Sequence, residues 1–290
     1  MQFSLVHRMR SLAHDAGTAY RLTDIHSSMC QLLGMSGNKP TSLRFSLDGF
    51  LRRGGETDHH ADGWGIAFHE GRSCKLFLDD QPAAGSSLVE RIKRMPLRAR
   101  NVIAHVRKAT HGEVSLSNCH PFVRLLWGRQ WVFAHNGDLP GFRTPADAHF
   151  KPIGSTDSEA AFCALLDGLR TCFGNSEPST PTLYLALRRI SAELASHGTF
   201  NYLLTNGELL FAHCSTSLYY SVRQAPFGTV KLIDCGVQVD LAQLNQADDR
   251  YSVVATQPLT EGEAWQALQP GELKVFLHGE ELSQAFAPRP

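Results

Sequence analysis

Four short segments of this 290-residue chain concentrate residues able to do chemistry. They are Met29-Cys30, H-V-R-K-A-T-H-G from His105 to Gly112, A-H-N-G from Ala134 to Gly137, and G-S-T-D-S-E from Gly154 to Glu159. An amide-cleaving site needs a nucleophile, a base, donors for an oxyanion and partners for fixed charges on the substrate. Cys30 is the candidate nucleophile. A thiol with a pKa of about 8.5 is only slightly ionised at neutral pH. A cysteine at the first position of a chain carries its own base, because an α-amine titrates at about 7.7–8.0. That amine can take the thiol proton and later give it to departing ammonia. A small residue after an initiator Met also permits that Met to be trimmed.

The other segments each admit two readings. The Asn136 side-chain amide and the Gly137 N–H can converge on one oxygen, and one such donor is worth about 2.7–4 kcal/mol in a transition state. The same dipeptide also makes an ordinary turn. Arg107 offers a planar fork for a carboxylate, or a surface salt bridge. Asp157 can accept from an ammonium group, or simply complement the dipole of a helix that starts beside Thr156.

The elements that must position these residues can be read from periodicity and turn chemistry. Cys30–Met35 reads as a buried strand, and Leu43, Phe45, Leu47, Phe50 and Leu51 as a helical stripe ending at Gly54-Gly55. Gly63–Phe68 and Cys74–Leu78 read as paired strands joined through Gly71. Ser87 with Glu90, and Thr156 with Glu159, are spaced as capping boxes for two helices. Strands are expected over Asn101–Val106 and Trp131–Ala134, and a further helix from Thr182 to about Ala195. Asn206-Gly207 between Tyr202–Thr205 and Glu208–Ala212 predicts a hairpin, followed by strands over Leu218–Val222, Tyr251–Ala255 and Leu273–Leu277. Hairpin-linked strands with helices between some of them predict an α+β chain with antiparallel or mixed sheets, not a doubly wound parallel sheet.

Composition narrows the function classes. The chain is 42% hydrophobic and 19% charged, as in ordinary globular proteins. Lys+Arg and Asp+Glu balance at 28 each, which leaves no basic footprint for nucleic acid. No apolar run is long enough to predict a membrane span. The seven cysteines are scattered without a C-x-x-C pair, so reduced thiols in a cytoplasmic protein are expected. His59, His60 and Asp62 sit among glycines and read as a polar loop before they read as a metal cluster. Cys119-His120 reads as loop rather than dyad, and Trp127 and Trp131 as packing or cleft residues.

Taken together and in order, the four segments resemble the class II glutamine amidotransferases, the N-terminal-nucleophile family. There a nucleophilic Cys is followed by H-x-R-x-A-T-H-G, then H-N-G, then T-D-[ST]-E. The likeness extends over most of Cys30 to about Gly279, and the D-G-W-G of Asp62 to Gly65 is similar to a loop of the small stand-alone bacterial members. The resemblance implies a four-layer αββα sandwich with two mainly antiparallel sheets between helices. It implies Cys30 as nucleophile with its own α-amine as base, and Asn136 and Gly137 as the oxyanion hole. Arg107, helped by Thr110 and His111, would hold the substrate's α-carboxylate, and Asp157 its α-ammonium. It implies no cofactor and no metal. The expected substrate is glutamine or a γ-glutamyl small molecule, with a separate synthase subunit as one possible acceptor of ammonia.

Two positions depart from the family pattern. Lys108 stands where many members have Trp, and Gln31 where many have Gly. Residues 1–29 are expected to be a mis-assigned start or a removable leader ahead of a single domain over 30–280. With Cys30 amide-bonded there is no free amine, so the untrimmed chain is expected to be inactive. A retired amidotransferase fold acting as a binding or regulatory protein is the alternative.

Overall fold

A computed structural model describes residues 30–58, 60–108 and 113–286. Its strands are β1 (Gln31–Thr41), β2 (Trp64–Glu70), β3 (Ser73–Asp79), β4 (Ala99–Val106), β5 (Phe122–Leu126), β6 (Arg129–Asp138), β7 (Thr199–Thr205), β8 (Leu209–His213), β9 (Tyr219–Gln224), β10 (Thr229–Leu232), β11 (Gln238–Asp240), β12 (Arg250–Ala255), β13 (Thr260–Glu261), β14 (Gln266–Ala267), β15 (Leu273–Leu277) and β16 (Glu280–Glu281). The helices are α1 (Arg44–Arg52), α2 (Ser87–Arg94), α3 (Asp157–Phe173), α4 (Thr180–Ala195) and α5 (Ser283–Phe286). Strand order is β14-β9-β12-β1-β4-β2-β3 in a seven-stranded sheet and β16-β15-β8-β7-β6-β5 in a six-stranded one. A small third sheet, β11-β10-β13, was not foreseen from the sequence. Its Leu232 lies against Gly49 of α1.

Period-two alternation explains the layers. On β1, Leu33 and Met35 point out to a core shared with Leu47, Phe50 and Leu51 of α1 and with Val89 and Ile92 of α2. Leu32 points the other way. It joins Ile103 and Val254 of its own sheet and Val132, Ala134, Leu203 and Leu210 of the second sheet. On that second sheet Phe133, Phe200 and Leu204 face Phe162, Leu165 and Leu187 of α3 and α4. The order is therefore helix, sheet, sheet, helix, the four-layer αββα arrangement. Leu32, Leu33 and Met35 are wholly buried, and each such side chain contributes about 1.5–3 kcal/mol of burial free energy.

Most of the expected elements are present, with edges shifted by a few residues. One cap is corrected: the N-cap of α2 is Ser86, which accepts from Val89 N–H, and Ser87 is the first helical residue. The second box forms only half. Thr156 accepts from Glu159 N–H at 3.2 Å. Glu159 turns instead to Arg124 and to the N–H groups of Ile153 (3.0 Å) and Gly154 (2.7 Å). The half-buried guanidinium of Arg124 is a better partner for this carboxylate than one more backbone amide. No helix among the described residues is long and apolar enough to cross a membrane.

Candidate active site

The candidate residues gather at one end of the space between the two sheets. Cys30 immediately precedes β1, whose Gln31 and Leu32 pair with Val106 and His105 at the end of β4. This register sets the sulfur beside the residues that follow β4. Lys108 N–H donates to Cys30 Sγ at 3.2 Å, and the thiol lies 3.2 Å from the Lys108 carbonyl oxygen as a donor. Cys30 is half-buried. Burial pushes its thiol above the ordinary value, while the Lys108 N–H and the nearby Arg107 charge pull the other way. These neighbours hold the sulfur without ionising it.

Arg107 is buried. Its Nη1 donates to the carbonyl oxygens of Asp62 (3.4 Å) and Glu113 (3.3 Å). Its backbone is tied to the D-G-W-G loop, through Arg107 N–H to Gly63 O at 2.8 Å and Asp62 N–H to Arg107 O at 3.2 Å. Gly63 has φ 110°, and a Cβ there would stand 2.7 Å from Cys119 Sγ. Thr110 and His111, the expected helpers of Arg107, lie outside the described residues, as does His59 of the polar loop. His60 faces Asp58, with 3.1 Å between Nδ1 and Oδ2. Cys119 donates to the carbonyls of Ser115 and Asp79, not to His120, and burial pushes its thiol up to about 11. His120 instead packs against His105, their ring centroids 4.2 Å apart and their planes tilted by 49°. Trp127 and Trp131 pack edge to face at 5.9 Å.

The second sheet brings the other half. Asn136 and Gly137 close β6, paired with Asn201 and Phe200 of β7. Asn201 donates to the Asn136 carbonyl at 3.0 Å. The Asn136 amide is buried, and its Nδ2 reaches Thr256 Oγ1 at 3.4 Å. Its Oδ1 has no hydrogen-bond partner among the described residues. Buried orphan polar atoms are uncommon and often functional. Gly137 is required by close approach: a Cβ would stand 1.9 Å from Thr199 O. Asp157 opens α3. Its two oxygens accept from Leu139 N–H (2.6 Å) and Ser158 N–H (2.7 Å). With Asp138, Arg143 and Thr156 it lines an open cavity of about 450 Å³.

Three residues that sequence reasoning gave no role join the halves. His135 Nε2 lies 3.0 Å from Thr199 O and must therefore donate, which leaves Nδ1 to accept from Ser158 Oγ at 2.8 Å. Burial holds this imidazole below its ordinary pKa, opposed by the bond to Thr199 and by the charges of Asp157 and Asp138. The His135–Ser158 bond fixes the start of α3 against the end of β6. Thr256, just past β12, accepts from Leu32 N–H at 2.9 Å as well as from Asn136. One hydroxyl thus ties the strand that follows the candidate nucleophile to the candidate oxyanion donor. The segments holding His135 and Ser158 were visible as motifs. Nothing in the sequence marks Thr256.

A sequence profile described as "Glutamine amidotransferases class-II" matches residues 29–290. A Haemophilus influenzae protein named "Putative glutamine amidotransferase" is 46% identical over 258 residues, spanning 89% of this chain and 87% of its own length. An Escherichia coli protein named "Putative glutamine amidotransferase YafJ" is 43% identical, over 88% of this chain and all of its own. The crystal structure of a "predicted glutamine amidotransferase" from Pseudomonas aeruginosa superposes with a TM-score of 0.69 at 40% identity, covering 87% of this chain and 99% of that one. The glutamine phosphoribosylpyrophosphate amidotransferase of B. subtilis, 16% identical with a TM-score of 0.53 over 48% of its chain, shares the fold. By profile, by identity along most of its length and by fold, this chain belongs to the class II glutamine amidotransferases.

Proposed function

We propose that this protein is a thiol-dependent amidohydrolase in which Cys30 acts as the first residue of the mature chain. Cys30 Sγ attacks the side-chain carbonyl carbon of glutamine or a γ-glutamyl compound. The C–N bond breaks, the α-amine passes the thiol proton to the leaving nitrogen, and ammonia or an amine departs. Water then hydrolyses the γ-glutamyl thioester and restores the thiol. Asn136 Nδ2 and Gly137 N–H stabilise the oxyanion. Arg107, with Thr110 and His111, binds the α-carboxylate, and Asp157 the α-ammonium. The reading rests above all on Thr256, whose single hydroxyl receives both the strand of Cys30 and the amide of Asn136.

Residues 30–280 form the catalytic domain in this reading, and 1–29 are an extension absent from the working enzyme. The free thiols fit a reducing cytoplasm. Ammonia passes to a separate synthase subunit or is simply released. The test pairs intact mass of host-made protein with ammonia release from L-glutamine. A mass beginning at Cys30, with release lost in Cys30→Ala, supports the proposal. Full-rate release from a chain still bearing Met29 defeats it. A trimmed chain that binds glutamine and never cleaves it leaves the regulatory alternative.

A further inference from the structure

A separate cavity lies at the end of the two sheets away from Cys30. Val106 pairs with Gln31 beside the sulfur, and Asn101 on the same strand is about 17 Å further along β4. The cavity, of about 660 Å³, is walled there by the β2–β3 turn, the start of β4 and the turns after β7 and β15. That volume lies within the range of about 300–1,000 Å³ usual for small-molecule sites. Both sheets build it. A Cβ on Gly207 would stand 2.7 Å from Gly71 O and from His69 Nδ1, and Asn101 Nδ2 donates to the carbonyls of Gly207 (2.9 Å) and Glu208 (3.3 Å).

The charge on its walls is one-sided. Glu70 is paired with Lys75 at 2.7 Å, and Glu208 with Arg129 at 3.3 Å. Arg98 and Arg100 are exposed, and neither has a carboxylate partner among the described residues. Arg98 gives only Nε to the Pro40 carbonyl, at 3.1 Å. The wall also holds buried polar groups. Asn101 is 1% exposed, and its Oδ1 has no donor among the described residues. Burial lowers the His69 imidazole to about 4, against the backbone of Ser73 and Gln130, so this ring is neutral at pH 7 and the two arginines supply the positive charge. Two unpaired guanidinium charges match a phosphate monoester, which carries about −1.5 to −2 at pH 7. A carboxylate would neutralise only one of them. A hydroxyl on the same ligand can donate to Asn101 Oδ1 and complete that amide.

We propose that this cavity binds a phosphorylated sugar or polyol, with Arg98 and Arg100 on the phosphate and Asn101 on a hydroxyl. The site is distinct from the proposed amide-cleaving one and does not rest on that reading. Calorimetric titration of the full chain with glucose 6-phosphate should show one saturable site. Arg98→Ala and Arg100→Ala should each weaken Kd about tenfold, the worth of one charge-assisted contact. Arg98→Lys should recover part of the loss, since it keeps the charge without the fork. Arg189→Ala removes an exposed arginine of α4 outside the cavity and should leave Kd within about twofold. Gluconate, with a carboxylate for the phosphate, and inorganic phosphate, without hydroxyls, should each bind the native chain at least about tenfold more weakly. Four results overturn the proposal. They are no saturable binding, a Kd that both cavity variants leave within about twofold, an equal loss in Arg189→Ala (an adventitious ion only), or gluconate or inorganic phosphate binding as tightly as glucose 6-phosphate. Cys30→Ala protein should bind glucose 6-phosphate like the native chain, so loss of the hydrolase reading would leave this one standing.

Discussion

The two sheets deliver unequal halves of the site. The six-stranded sheet and α3 supply a half in which side chains are cross-braced. His135 is bonded at both ring nitrogens, Asp157 at both oxygens, and Glu159 to Arg124 and two amides. The seven-stranded sheet supplies the sulfur, and among the described residues the hydrogen bonds of Cys30 Sγ run to the backbone of Lys108. Burial leaves that thiol above its ordinary pKa. Braced groups therefore meet a candidate nucleophile whose thiol the nearby Arg107 charge does not bring back to its ordinary value. The missing activation is what an α-amine on Cys30 would provide.

The largest effect tests this asymmetry directly. Cys30→Ala should lower ammonia release from glutamine by at least about 10⁴-fold, and so should retention of Met29 on an otherwise native chain. Steady-state assay of mass-verified samples decides it. If only the alanine variant fails, the activating group is not the amine, and the two halves are less unequal than they look. Next comes Asn136, the proposed oxyanion donor. Asn136→Ala should reduce kcat by about 10²–10³ while the protein still folds. A far smaller loss would move oxyanion binding elsewhere.

Bracing of the second half predicts a stability effect. Glu159 is 1% exposed and lies against Arg124. Arg124→Ala leaves a buried carboxylate with backbone donors alone, and should cost about 3–5 kcal/mol in urea denaturation. A loss below about 1 kcal/mol, the range of exposed pairs, would show that the loop from Ile153 to Asp157 is held by something else.

What was legible in the sequence follows the same division. Periodicity gave the strands and helices of both layers, because Leu32/Leu33 and Phe133/Ala134 alternate between two cores. Motif spacing nominated Cys30, Arg107, Thr110, His111, Asn136, Gly137 and Asp157 as candidates, since each belongs to a contiguous segment. Thr256 escaped because its role comes from a fold-level meeting of β12 with β1 and β6, which no local pattern encodes. The small third sheet escaped because strands of two to four residues lack room for a period. Ser87 was taken for Ser86 because adjacent serines suit a cap equally well until the backbone selects one.

The smallest expected effect appears only in acid. His120, whose ring packs on His105 of the thiol half, is buried, and neither ring nitrogen has a hydrogen-bond partner among the described residues. Burial drives its pKa well below the ordinary 6.5. A folded-state value lower than the unfolded one means that the unfolded chain takes up the proton first. Stability from this group is therefore complete above about pH 6.5 and falls as pH drops, until the folded value is reached. Replacing His120 by Phe keeps a ring against His105 and Phe122 and removes the titrating group. The variant should match the parent at pH 7.5 and lose less stability toward pH 5, by up to about 1.4 kcal/mol per pH unit. His135→Phe should behave oppositely. It forfeits the bonds to Ser158 and Thr199, so it should be weaker at every pH, with an acid slope less altered than its neutral stability. Parallel urea titrations at both pH values distinguish the two. Equal behaviour would mean that the two buried imidazoles do the same work in both halves, and that the contrast between a braced half and an unbraced one does not extend beyond the sulfur.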